Sequence, residues 1–129
     1  AFLPQCDILV CLLPLTPETR GMLNGALFSK LPKGAAIINC GRGQHLAQSD
    51  LLDALASGQL SRAILDVTDP EPMSPNNPLL QLPNVCVLPH IGSATIETRT
   101  QMAIMATNNL IAAKNGNKMM QIVNKEVYS

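Results

Sequence analysis

Four short apolar runs punctuate the chain, and stretches with helical spacing or loop composition separate them. Asp7–Leu13 (DILVCLL), Ala35–Cys40 (AAIINC), Arg62–Val67 (RAILDV) and Asn84–Pro89 (NVCVLP) are apolar almost throughout. Such continuity predicts strands buried on both faces rather than the alternating, one-sided kind. After the first run, PLTPETRG reads as a Pro/Thr loop. Asn24–Gly34 then reads as a short helix, with Asn24 as its cap and Pro-Lys-Gly as its stop. The second run breaks at GRG, and QSDLLDALASGQL places Leu51, Leu52 and Leu55 on an amphipathic helix that ends at Gly58. Thr68–Pro78 (TDPEPMSPNNP) is too rich in proline for regular structure. Beyond the fourth run, Thr95–Gly116 has helical spacing and forms the longest predicted helix, with Ser93 or Thr95 as its cap.

Strands alternating with helices predict an α/β fold with a parallel sheet and helices on its faces. In open parallel sheets, ligands bind beyond the carboxyl ends of the strands. Four tips therefore carry the candidate chemistry: Pro14–Thr16, Cys40–Gly43, Asp66–Glu71 and Pro89–Gly92.

Composition narrows the choice of partner. Apolar residues make up 47% and charged residues 14%, with nine Lys+Arg against nine Asp+Glu, so neither a nucleic-acid surface nor a polybasic membrane surface is expected. With no Trp, one Tyr and two Phe, there is no aromatic platform on which bases could stack. A small molecule or a protein is the expected partner. Cys6, Cys11, Cys40 and Cys86 lack the spacing of a zinc site and read as buried free thiols in a reducing compartment. No apolar run approaches the ~18 residues of a membrane span and no basic-then-apolar signal opens the chain, so a soluble, cytoplasmic protein is expected. The first residue is Ala rather than Met and a strand follows almost at once, as in a piece of a longer polypeptide.

The strand tips gather several of the few charges. Arg42 lies between two glycines, where a ligand can approach the backbone and the guanidinium fork can grip a carboxylate. Asp66 ends a buried strand and needs a loop amide, a cation or a ligand as its partner. Glu71 is stiffened by Pro70 and Pro72, and His90 follows Pro89 at the tip of the fourth run. Taken singly, each fits a structural role. Together, a histidine supported by a carboxylate and flanked by an arginine makes an acid–base site for a small carboxylate such as a 2-oxo acid. Such chemistry commonly needs a hydride donor. The remaining histidine, His45, reads as solvated or capping.

LPLTPETRGMLN, LPKGAAIINCGRGQHL, DLLDALASGQLSRAILDVTDPEP and NPLLQLPNVCVLPHIGSAT occur in this order. Together they resemble the nucleotide-binding domain of the D-isomer-specific 2-hydroxyacid dehydrogenases, the glyoxylate/hydroxypyruvate reductases being the nearest group. The resemblance implies that residues 1–116 are the carboxyl-terminal half of a Rossmann-like, doubly wound parallel sheet. Residues 117–129 would be a tail returning to an absent substrate domain. It further implies NAD(P)H-dependent reduction of glyoxylate or hydroxypyruvate to the D-2-hydroxy acid, with NADP or NAD as cofactor and a homodimeric full-length parent. Arg42 would hold the substrate carboxylate, His90 would protonate the carbonyl oxygen, and Glu71 would pair with His90, with Asp69 as the alternative acid. Pro14, Cys40, Gly41, Asp66, His90 and Gly92 would border the cofactor, Asp66 at the nicotinamide carboxamide. The GxGxxG phosphate loop and the acidic or basic selector beyond it have no counterpart in the sequence. Residues 1–129 alone are therefore expected to bind cofactor weakly and turn over poorly. Two other readings are a corepressor-like NAD(H)-sensing binding module and an inactive truncated chain.

Overall fold

The computed structural model describes residues 2–128. Ala1 and Ser129, the outermost residues of the two expected segments, lie outside them. The chain divides into two compact units, Ala1–Gly92 and Ser93–Ser129.

The first unit is built on four parallel strands: β1 (Ile8–Cys11), β2 (Ala35–Asn39), β3 (Leu60–Leu65) and β4 (Val85–Val87). Their spatial order equals their chain order, β1-β2-β3-β4. Every strand therefore delivers its carboxyl end to the same rim. Because each strand is added on the same side of the last, connections of one hand fall on one face of the sheet. That face carries α1 (Gly25–Phe28) and α2 (Gln48–Ala56). Phe28, Leu31, Leu51 and Leu55 pack there against Cys11, Ile37, Ala63 and Leu65, and Leu79 closes the same core.

The opposite face departs from the expectation of strands buried on both sides. Ile8 and Val10 are 60% and 48% exposed, and Cys86 is exposed on the same side. In register they align with Ala36, Ile38 and Ile64. Among the described residues of the first unit, α1 and α2 pack on the other face and leave this row open. For the same reason the thiols are not uniformly buried: all four are free, but only Cys11 is buried, while Cys6 and Cys40 are half-buried.

Local chemistry accounts for the element ends. The Asn24 side chain accepts a hydrogen bond from the Leu27 amide at 3.1 Å, as a capping residue should. Helix α1 is shorter than the predicted Asn24–Gly34 segment because Pro32 lacks a donor and disfavours helical backbone before it. The carbonyls of Phe28 and Leu31 accept instead from the Gln59 side chain at 2.9 and 3.0 Å. On α2, Leu51, Ala54 and Leu55 are buried at the i, i+3, i+4 spacing of one helical stripe. The proline-rich stretch after β3 forms no regular element until a 3-10 turn, Pro78–Gln81, which Asn77 caps through the Leu79 amide.

The second unit contains α3 (Ile96–Lys114), the longest helix, capped by the Thr95 hydroxyl on the Thr98 amide at 3.1 Å. Its apolar side chains are exposed or half-buried. Asn109 donates to the Gln121 carbonyl and accepts from the Met120 amide, which returns the tail to the helix. Among the described residues no helix is long and apolar enough to cross a membrane.

Leu51 is fully buried between α2 and the sheet. Leu51→Ala should cost about 2–5 kcal/mol of unfolding free energy in a urea titration, and a loss below about 1 kcal/mol would contradict this packing.

Candidate active site

The loops that leave the four strand tips are tied together by buried polar groups. Asn39, the last residue of β2, is fully buried. Its side chain accepts from the Gly41 amide at 3.1 Å and donates to the Arg42 carbonyl at 3.0 Å. His45 is also fully buried, on a 3-10 turn from Gly43 to His45. Its Nδ1 accepts from the Arg42 amide at 3.0 Å, and its Nε2 lies 3.3 Å from the Pro14 carbonyl in the loop after β1. The expectation of a solvated histidine is thus overturned, while the capping role is observed. The ring finds partners only inside, because the GRG turn folds over it.

Gly43 fastens the β2 loop to the β3 loop. A Cβ placed there would overlap the Thr68 carbonyl, so only glycine permits this approach. With its backbone held, Arg42 keeps an exposed side chain. One guanidinium nitrogen, Nη1, donates to the Gly41 carbonyl at 2.7 Å.

Asp66 joins the tips of β3 and β4. It is 4% exposed, and its two carboxylate oxygens accept from the amides of Ile91 and Gly92, each at 2.8 Å. The need for a partner inferred from sequence is met by loop amides, and each oxygen retains further acceptor capacity. Between these anchors, His90 adopts φ +57°, the left-handed region that non-glycine residues seldom occupy. That conformation costs about 1–2 kcal/mol. Strain of this kind persists where surrounding bonds determine the backbone, and it clusters at functional sites.

Glu71 Oε1 lies 2.6 Å from His90 Nδ1, and the Thr68 amide donates to Glu71 Oε2 at 3.3 Å. Both side chains are nearly half exposed, so the pair is open to solvent. The hydrogen bond from His90 holds the Glu71 carboxyl below its ordinary range, helped by the Thr68 amide and by the positive charges of His90 and Arg42. Glu71 is therefore an acceptor at neutral pH. With Nδ1 committed to it, Nε2 is the His90 nitrogen left to meet a substrate. The alternative acid, Asp69, makes no comparable bond to His90 among the described residues.

Two clefts border this rim. One, of about 460 Å³, is lined by Leu12–Leu15, Cys40, Gly41 and Arg42. It contains Pro14, Cys40 and Gly41, three of the residues expected from sequence to border a cofactor. The second, about 510 Å³, is lined by Thr68, Glu71, Met73, Leu88 and His90 among others. Burial first, then the negative charge of Asp66, pushes the Cys40 thiol up, so it is a neutral wall of the first cleft rather than a thiolate. Gly92 lies beside Asp66: a Cβ there would stand 3.0 Å from Oδ2. No group of three or more potential metal ligands occurs among the described residues.

Asn39 was not singled out from sequence, and of the two roles expected for His45 the solvated one fails while the capping one holds. Their signals were an amide closing an otherwise apolar strand and a histidine three residues beyond the arginine of GRG.

The profile of the family described as "D-isomer specific 2-hydroxyacid dehydrogenase, NAD binding domain" matches residues 1–92. The chain is 49% identical over 115 residues to the human glyoxylate reductase/hydroxypyruvate reductase, covering 89% of this chain and 35% of that protein. It is 46% identical over 125 residues to glyoxylate/hydroxypyruvate reductase B of Klebsiella pneumoniae, covering 97% of this chain and 39% of the relative. Among solved structures, the NADPH-dependent glyoxylate/hydroxypyruvate reductase of Sinorhizobium meliloti, in complex with NADP and sulfate, superposes with a TM-score of 0.82 at 38% identity. That similarity covers 97% of this chain and 40% of the solved one. The chain thus spans somewhat over a third of the length of the relatives it matches. The matched residues, the parallel sheet and the sustained identity together place this chain in the D-isomer-specific 2-hydroxyacid dehydrogenase family, with residues 1–92 matching its NAD-binding domain.

Proposed function

We propose that this chain supplies the acid–base half of an NAD(P)H-dependent reductase that converts glyoxylate or hydroxypyruvate to the D-2-hydroxy acid. The observation that carries the reading is the His90–Glu71 pair at 2.6 Å, with an arginine at the tip of the neighbouring strand β2 whose backbone is held, whose side chain is exposed and whose charge reaches Glu71. The glyoxylate/hydroxypyruvate reductase names of relatives at 46–49% identity support the substrate class. The bound NADP of the Sinorhizobium meliloti structure supports the cofactor.

A nicotinamide cofactor fits the cleft between the β1 and β2 tips. Pro14, Cys40 and Gly41 provide a wall of backbone and neutral side chains there, while Asp66 and Gly92 stand at the β3–β4 tips. When bound, the reduced cofactor supplies a hydride to the substrate's carbonyl carbon. Arg42 holds the substrate carboxylate through its guanidinium fork and orients the carbonyl. Protonated His90 donates from Nε2 to the carbonyl oxygen as negative charge develops there, and Glu71 on Nδ1 steadies the ring and its charge. Residues 1–116 then form the carboxyl-terminal part of the cofactor domain, and residues 117–129 lead toward a substrate domain.

In the full-length enzyme, His90→Asn should retain the left-handed backbone, which asparagine tolerates, yet lose the transferable proton. We expect kcat to fall about 10²–10⁴-fold with cofactor affinity little changed. An unaltered kcat would refute the assignment.

The lowered pKa of Glu71 sets a second expectation. A carboxyl whose folded value lies below its unfolded value stabilises the fold fully above the unfolded pKa, about 4.3 for glutamate, and loses that contribution as pH falls through the folded value. The stability difference between the unmutated protein and Glu71→Gln, measured by urea unfolding, should therefore be largest near neutral pH and shrink on acidification below about pH 4. A difference that grows on acidification would show that Glu71 is not held ionised by His90.

A further inference from the structure

We propose that His45 is a positioning residue for Arg42, acting as a rigid neutral brace between the substrate-binding loop and the wall of the cofactor cleft. The inference rests on the reading of Arg42 as the carboxylate-holding residue and adds to it a residue that touches neither substrate nor cofactor.

A backbone amide can only donate and a carbonyl can only accept. With the Arg42 amide 3.0 Å from Nδ1 and the Pro14 carbonyl 3.3 Å from Nε2, both bonds exist together in one form alone: bare Nδ1 and protonated Nε2. The ring is fully buried, and no carboxylate is among its hydrogen-bond partners. It is also packed against the turn it supports: a Cβ at Gly41 would lie 2.8 Å from both Cε1 and Nδ1.

The brace completes a symmetric restraint. His45 holds the Arg42 amide, and the Asn39 side chain holds the Arg42 carbonyl at 3.0 Å. Two buried side chains thus fix the backbone of a residue whose side chain is exposed. A carboxylate-binding fork needs its base fixed if the bound anion is to meet a proton donor on another loop. The other end of the ring fixes Pro14, which lines the cleft proposed for the cofactor. His45 therefore sets the spacing between the residue that holds the substrate and the wall that receives the cofactor.

The two ends can be cut separately. In asparagine the side-chain oxygen falls where Nδ1 is, so His45→Asn keeps an acceptor for the Arg42 amide and loses the reach to Pro14. In glutamine the terminal NH2 falls near Nε2, so His45→Gln keeps the donor to Pro14 and leaves the Arg42 amide without its acceptor. In the full-length enzyme, H45Q should raise KM for the 2-oxo acid about tenfold with Kd for NAD(P)H, from fluorescence titration, changed less than about threefold. H45N should show the reverse pattern. Nitrogen-15 NMR of the unmutated protein should report unprotonated Nδ1 and protonated Nε2, a readout independent of turnover and of whether either variant folds.

An Nδ1-protonated ring would overturn the brace, as would two variants that shift both constants alike in proportion to their loss of Tm. If the unmutated enzyme reduces no 2-oxo acid and Arg42→Gln leaves carboxylate binding intact, the functional reading itself fails, and this inference falls with it.

Discussion

A carboxylate buried at the end of a parallel strand must find donors, and the way Asp66 finds them shapes the rim of this sheet. Its two oxygens take the amides of Ile91 and Gly92, the two residues that follow His90. Hydrogen bonds to a charged group contribute about 1.5–3 kcal/mol each, enough to offset the cost of the left-handed backbone at His90. That backbone places the imidazole against Glu71, whose loop is joined in turn to the arginine loop by the contact of Gly43 with Thr68. Without the Asp66 bonds, the turn after β4 would be held to β3 by the Leu88 amide on the Leu65 carbonyl, and the Ile91 and Gly92 amides would lose their carboxylate.

The same division of labour recurs at each tip. Groups that hold the loops, Asn39, His45 and Asp66, are buried and hydrogen-bonded, whereas Arg42, Glu71 and His90 remain open to solvent. The buried set makes up a hydrogen-bonded frame, and the exposed set retains charge and access. The arrangement reinforces itself, since the hydrogen bond from His90, then that from the Thr68 amide, and lastly the positive charges of His90 and Arg42 lower the Glu71 pKa and keep it an acceptor for Nδ1.

Much of this was legible from residue order. Continuous apolar runs identified the four strands, Leu51 and Leu55 the buried stripe of α2, and Asn24 and Thr95 the caps of α1 and α3. Arg42, Glu71 and His90 could be singled out because so few charges lie near the strand tips. Burial was less legible: an apolar run records the capacity to be covered on both faces, not whether an element of this chain does so, and Ile8, Val10 and Cys86 are therefore exposed here. Polar residues that act through the backbone were the least legible. The roles of Asn39 and His45 depend on bonds to amides and carbonyls brought together only when the GRG turn folds, and residue type alone does not encode that turn's path.

In the proposed site the four strand tips act as one, with Arg42 on the substrate carboxylate and His90 facing the carbonyl oxygen. The most direct measurement is a crystal structure of the full-length enzyme with reduced cofactor and oxamate, a carboxylate that resembles a 2-oxo acid but accepts no hydride. The expected result is the oxamate carboxylate on the Arg42 guanidinium, its carbonyl oxygen within hydrogen-bond reach of His90 Nε2, and Glu71 on Nδ1. Oxamate held by other residues, with His90 turned away from it, would rule this site out.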